Sequence, residues 1–181
     1  MTPATGRIAA RPAAGPALRW DHREVVVRLE LRTRSTSSAA HLFDLARSVD
    51  AHVTSMSRSR ERAVRGVTSG LLGLGDEVTW RGTHFGLPLT MTSRITTMAA
   101  PVTFVDEQVR GPFRRFRHEH LFTDVDGGCV MIDRIQFTAP LGVLGVIAER
   151  LVLARYLRRI IEERNAAIAG PPARPWEGGA G

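Results

Sequence analysis

Lysine is absent from the chain. All 25 basic residues are arginine, and against 18 acidic residues they leave a formal charge of +7. An all-arginine complement reads as a compositional bias of the source genome rather than a nucleic-acid footprint, and no aromatic–basic module or finger spacing accompanies it. Nucleic acid is therefore not an expected partner. Part of the charge is peripheral: Arg7, Arg11, Arg19 and Arg23 face only Asp21, Arg174 and Glu177 cancel, and the stretch between keeps about +4. A single cysteine, Cys129, excludes an internal disulfide and points to a reducing, cytoplasmic setting. No apolar run is long enough to span a membrane; the longest, LGVLGVIAERLVLA, is broken by Glu149 and Arg150. MTPATGRIAARPAAGPALRW lacks the apolar core of a secretion signal, and its prolines oppose an amphipathic targeting helix.

The 181 residues, 43% hydrophobic, suit one globular domain. Residues 1–23 and 170–181 are rich in Ala, Pro, Gly and Arg and predict disordered arms that can be trimmed without loss of the fold, leaving a domain over 24–169. Within it, EVVVRLELRT (24–33) has strand composition. STSSAAHLFDLARSVDAHVTSM offers a Ser/Thr helix start and then helical spacing, with a break near Asp50 that predicts two short helices. Strand patterns follow over 60–67, 77–85, 88–98, 102–110, 114–123 and 129–138, punctuated by Gly, Pro and Asp. DVDGG (124–128) is a hairpin signal. From Leu141 to about Ile168 the period becomes 3.6, with Val146, Leu153, Leu157, Ile160 and Ile161 on one stripe and Arg155, Arg158, Arg159, Glu162 and Glu163 opposite. Seven antiparallel strands and one long amphipathic helix bury one another in an α+β domain.

This order resembles the START/polyketide-cyclase (SRPBCC, helix-grip) superfamily, and more closely its bacterial cyclase/dehydrase-like branch. The stretches that carry the resemblance are TSGLLGLGDEVTWRGTHFG (68–86), PVTFVDEQVRGPFRRFRHEHLF (101–122) and DRIQFTAPLGVLG (133–145). It implies a curved seven-stranded sheet gripping the C-terminal helix, with an apolar cavity between them. TSGLLGLGD lacks GxGxxG or Walker spacing and precedes a strand, so it reads as a loop at the cavity mouth rather than a phosphate cradle.

Alternation along the strands gives the inward set. It comprises Val78, Trp80, Gly82 and His84; Leu89, Met91, Ser93 and Ile95; Phe116, His118, His120 and Phe122; and Met131, Asp133, Ile135 and Phe137. For 102–110 the pattern alone is ambiguous, and the family resemblance favours Phe104, Asp106 and Gln108 over Val105, Glu107 and Val109. From the helix, Leu153 and Leu157 face in, and Arg150 falls on the apolar side, either snorkelling out or meeting an anionic ligand head. Gly142 and Gly145 allow close helix–sheet packing or loosen a portal. The run Arg114, Arg115, Arg117 reads as a solvated strand edge, with an acidic lipid surface as its alternative partner.

FRHEHLF (116–122) places two histidines between two aromatics on one face. Three readings apply: a pocket floor satisfied by nearby carboxylates, a metal set drawn from His118, His120, His84 and Asp133, or acid–base chemistry by a histidine oriented by Asp133. The reading adopted is the pocket floor, with no metal or cofactor. If catalysis occurs, His118, His120 and Asp133 are its candidates. The DVDGG hairpin puts Asp133 beside His118 or His120, with paired residue numbers summing to about 252. The functional expectation is a hydrophobic or amphipathic small molecule bound in the cavity by a monomer or homodimer. A polyketide cyclase, aromatase or dehydrase is the alternative, and a lipid carrier docking on anionic membrane the third.

Overall fold

The computed structural model describes residues 26–138 and 146–170, with side chains of the last segment from Val152 onward. The arms predicted for 1–23 and 171–181, Gly142, Gly145 and the Arg150 side chain lie outside the described residues.

Strand β1 (Val27–Ser35) leads to helices α1 (Ala39–Ala46) and α2 (Val49–Ser55). Six more strands follow: β2 (Arg62–Gly66), β3 (Glu77–His84), β4 (Leu87–Ala99), β5 (Thr103–Arg110), β6 (Arg115–Val125) and β7 (Gly128–Thr138). Helix α3 (Val146–Ala169) ends the fold. The strands form one antiparallel sheet in the order β1-β7-β6-β5-β4-β3-β2. Element order and number are those the sequence predicts, and the strand bounds move by a few residues.

The break between the short helices falls at Arg47–Ser48, ahead of Asp50, because Ser48 caps α2 by accepting the Ala51 N–H at 3.2 Å. Ser38 caps α1 in the same way, and Ala39 N–H donates to Asp124 at the β6–β7 turn, 2.7 Å away. The β3–β4 turn is Phe85–Gly86, both at positive φ (53° and 75°), the pairing of a tight hairpin. A phenylalanine in the left-handed region costs about 1 kcal/mol. Its ring packs on Tyr156 of α3, centroids 4.2 Å apart.

Two apolar clusters flank the sheet interior. One packs α1 and α2 on the strands: Phe43 meets Phe104 and Phe122 edge-on at 5.5 and 5.4 Å. The other packs α3 on β1, β6 and β7 through Leu31, Phe116, Ile135, Phe137, Leu157 and Ile161. Burying side chains of this size contributes about 1.5–3 kcal/mol each. A cavity of about 200 Å³ opens between the sheet and α3.

Candidate functional site

The cavity wall is apolar over most of its area. Trp80, Met91, Ile95, Phe104, Phe116 and Leu157 are among its lining residues. A void of about 150 Å³ holds a benzene-sized ring, so this one suits a ligand of one or two rings and falls short of the roughly 300 Å³ of larger drug-sized sites. Two polar clusters reach the same space.

The inner cluster stands on β5, β6 and β7. Asp106 pairs in register with His118, and His120 with Asp133, so alternation sends all four side chains to one face. The pairing sum across the β6–β7 hairpin is 253 (His120 with Asp133), one more than expected. His118 Nε2 donates to Asp133 Oδ1 at 2.8 Å, and His120 Nε2 donates to Asp106 Oδ2 at 3.1 Å. His120 Nδ1 is 2.9 Å from Asp133 Oδ1, an ion-pair contact, but it is a buried nitrogen that makes no hydrogen bond. His118 Nδ1 lies 3.9 Å from Asp106 Oδ2. Asp133, fully buried, also accepts from Asn165 Nδ2 at 2.6 Å, and Asn165 bonds Thr33 at 3.1 Å. Arg164 donates to Asn165 Oδ1 at 3.3 Å and to the Ala46 carbonyl at 2.5 Å.

Burial pushes the Asp133 carboxyl up, but the two histidines outweigh it and hold it well below the usual range. The same opposition resolves downward for Asp106, through His120, His118 and Arg164. Burial and the His120 charge depress His118. Burial also works against a charged His120, yet its contacts with Asp106 and Asp133 raise it. The surroundings thus favour the protonated form of His120, between two carboxylates, and the neutral form of His118 beside it. Since Nε2 of His118 donates to Asp133, Nδ1 of its neutral ring carries a lone pair.

The outer cluster comes from four separate segments. Glu61, ahead of β2, accepts from His52 of α2 at 2.6 Å and lies 3.1 Å from His84 Nε2 of β3. His84 Nδ1 is 2.7 Å from the Tyr156 hydroxyl of α3. His52 stacks on Trp80, rings 4.0 Å apart. Gly82 makes this arrangement possible: a Cβ there would stand 2.6 Å from Glu61 Cγ. Burial raises the Glu61 carboxyl, but His52 and His84 prevail and hold it at about 2. Burial and the Glu61 charge push the Tyr156 phenol up.

Of the predicted inward residues, Trp80, His84, Met91, Ser93, Phe104, Asp106, Phe116, His118, His120, Leu153 and Leu157 line the cavity. Four do not. Gln108 turns aside to clasp the Phe113 backbone (2.8 and 3.3 Å) and holds the β5–β6 loop. Phe122 is taken up under α1, and Ile135 and Phe137 under α3, by the two apolar clusters. Asp133 stands behind the histidines and does not line the cavity. The sequence reading missed His52, Glu61, Tyr156 and Arg164. Arg164 and Asn165 continue the stripe of Leu157 and Ile161 at helical spacing, a signal that their polarity masked.

A seven-stranded antiparallel sheet closed on a long helix around an internal cavity is the helix-grip α+β fold. Solved structures share it. The ZhuI aromatase/cyclase from Streptomyces sp. R1128 superposes with a TM-score of 0.63 at 16% identity, covering 81% of this chain and 93% of that one. Ginseng major latex-like protein 151 from Panax ginseng gives 0.56 at 14%, covering 81% and 99%. The di-domain aromatase/cyclase StfQ of the steffimycin biosynthetic pathway gives 0.64 at 16% and 81% of this chain, which spans about half (51%) of StfQ. At such identities the likeness is one of fold. No family model matches the chain, and no curated protein matches its sequence.

Proposed function

We propose that the protein binds a hydrophobic or amphipathic small molecule of one or two rings in the cavity, its polar end on the inner cluster. The observation that carries this is an apolar wall converging on a lone pair, His118 Nδ1, and on Asp106. A hydroxyl or enol on the ligand donates to either group, and Asp133 behind them fixes the imidazoles. The aromatase/cyclases among the structural neighbours support a ring-bearing ligand without identifying it. The test is native mass spectrometry of the purified protein with extraction of any retained compound, together with titration of an environment-sensitive naphthalene dye. Micromolar dye binding is expected. Met91→Trp, which fills the wall, should abolish it with the fold intact by circular dichroism; binding that survives Met91→Trp refutes the cavity site. Gly82→Trp is the less clean variant, because a side chain there first meets Glu61.

A second reading, a cyclase- or dehydrase-like enzyme acting on an enolisable polyketide-like substrate, is favoured by one feature. Tyr156, His84 and Glu61 form a hydrogen-bonding chain that ends at the cavity in a phenol, the arrangement proton transfer to a bound carbonyl needs. If so, Tyr156→Phe lowers turnover of such a substrate by about 10²-fold or more while dye affinity stays within a few fold; equal losses in both would reduce Tyr156 to a binding group.

A further inference from the structure

The inner cluster has the make-up of a metal centre. Asp106, His118 and His120 each offer one ligand atom, and these atoms all lie within 4.8 Å of one another. Two atoms that share an ion at about 2.1 Å are about 3.0–3.4 Å apart at octahedral or tetrahedral angles. Asp106 Oδ2 already stands 3.1 Å from His120 Nε2 and 3.9 Å from His118 Nδ1. The Asp106–His118 separation must shorten, and the His118 and His120 ligand atoms, within 4.8 Å of each other, close on the same ion.

Asp133 carries the argument further. A metal-bound histidine gives its second nitrogen to a carboxylate, which fixes its tautomer. Here one oxygen, Asp133 Oδ1, faces the far nitrogens of both rings: His118 Nε2 at 2.8 Å and His120 Nδ1 at 2.9 Å. The second of these is the buried nitrogen that lacks a hydrogen bond. It is the nitrogen that would carry the proton once His120 Nε2 had turned its lone pair to an ion. Asn165 and the strand pairing hold Asp133 in place, so the set is preorganised. The three ligands leave coordination positions open, and all three residues line the cavity.

We propose that Asp106, His118 and His120 bind a divalent first-row transition metal, with Asp133 as the shared outer carboxylate. The assignment replaces the set considered from sequence, in which Asp133 was a ligand and Asp106 was not. It goes beyond the ligand-binding reading and does not depend on it. The ion displaces the proton on Nε2 of His120, and the two carboxylates then outnumber Arg164, the remaining cation that acts on Asp106. The filled site has one positive charge left, which an anionic oxygen of a ligand would neutralise. Two nitrogens and one oxygen with open positions suit zinc- or iron-type ions better than calcium or magnesium.

The test uses the full chain stripped with chelator and titrated with Co²⁺ and Zn²⁺ by calorimetry, with no organic ligand present. One ion per chain is expected, with visible cobalt absorption. Asp106→Asn and His118→Gln should weaken binding by about 100-fold or more, and Asp133→Asn by about 10–100-fold. Glu61→Gln, which disables the outer cluster, should leave the stoichiometry at one. Should the inner variants fail to fold, the wild-type protein labelled with ¹⁵N-histidine decides: Zn²⁺ must shift Nδ1 of His118 and Nε2 of His120. No binding, binding that survives loss of Asp106 and His118, or shifts confined to the other histidines would overturn the assignment.

Discussion

The two polar clusters share one cavity and similar chemistry, yet they are held in opposite ways. The inner one stands on three adjacent strands, and its members are neighbours by register. The outer one gathers a helix, a loop, a strand edge and α3 around a single carboxylate. Among the histidines burial follows the same division, while the carboxylates break it, Asp106 being 18% exposed and Glu61 9%. His120 and Asp133 are 2% and 0% exposed, whereas the His52 and His84 side chains are 21% and 15% exposed. A set fixed by strand pairing is rigid and deeply desolvated, so losing one member strands its partners. A set gathered from separate segments is softer and nearer water, so it tolerates loss and responds to conditions.

The largest expected effect follows from that contrast. Asp133→Ala leaves His118, Asn165 and His120 without their common partner and should cost about 3–5 kcal/mol, as removal of one member of a buried charged pair does. Urea unfolding measures it; a loss below that of Glu61→Gln would erase the distinction between the clusters. The next effect is a pH dependence in the outer cluster. Glu61 has its folded pKa lowered to about 2, below its ordinary 4.5. Its contribution is therefore full above about pH 4.5 and is lost as pH falls toward 2, amounting to at most about 3 kcal/mol. Thermal melts of wild type and Glu61→Gln between pH 2 and 6 should converge at the acid end. Parallel curves would mean that Glu61 is not held by its histidines. Tyr156→Phe removes one partly exposed hydrogen bond and should cost about 1 kcal/mol. At the bottom of the scale, Arg58→Ala breaks an exposed pair with Glu163 and should leave the urea midpoint indistinguishable from wild type.

The same contrast decides what could be read from the chain. FRHEHLF, the DVDGG turn and Asp133 lie within eighteen residues, so strand alternation and hairpin arithmetic bring His118, His120 and Asp133 together with no knowledge of the rest. The register came out one residue from expectation, and Asp133 is reached by both histidines rather than one. Gln108 was misplaced because alternation gives a side chain's face, not its reach, and a long amide can turn to a nearby loop. Phe122, Ile135 and Phe137 do face inward, but alternation cannot distinguish a cavity wall from the solid packing beneath a helix. Of the outer cluster only His84 was legible, from strand alternation. His52 and Tyr156 are separated by about a hundred residues, and nothing local in either sequence neighbourhood refers to Glu61. Arg164 was legible by position and hidden by type: on a helix written in arginine, one more Arg drew no notice until its place on the buried stripe was known.

The stack of His52 on Trp80 has an optical consequence. An indole 4.0 Å from an imidazole, at 27° between planes, changes its emission when that stack is disturbed. The chain has three tryptophans, and the other two, Trp20 and Trp176, fall in the terminal segments. Replacing both with phenylalanine leaves Trp80 as the only indole, on the cavity wall beside the Glu61 cluster. The protein then carries its own fluorimeter. Steady-state emission would report in real time, and without an added dye, whatever enters the cavity or moves His52 off the indole.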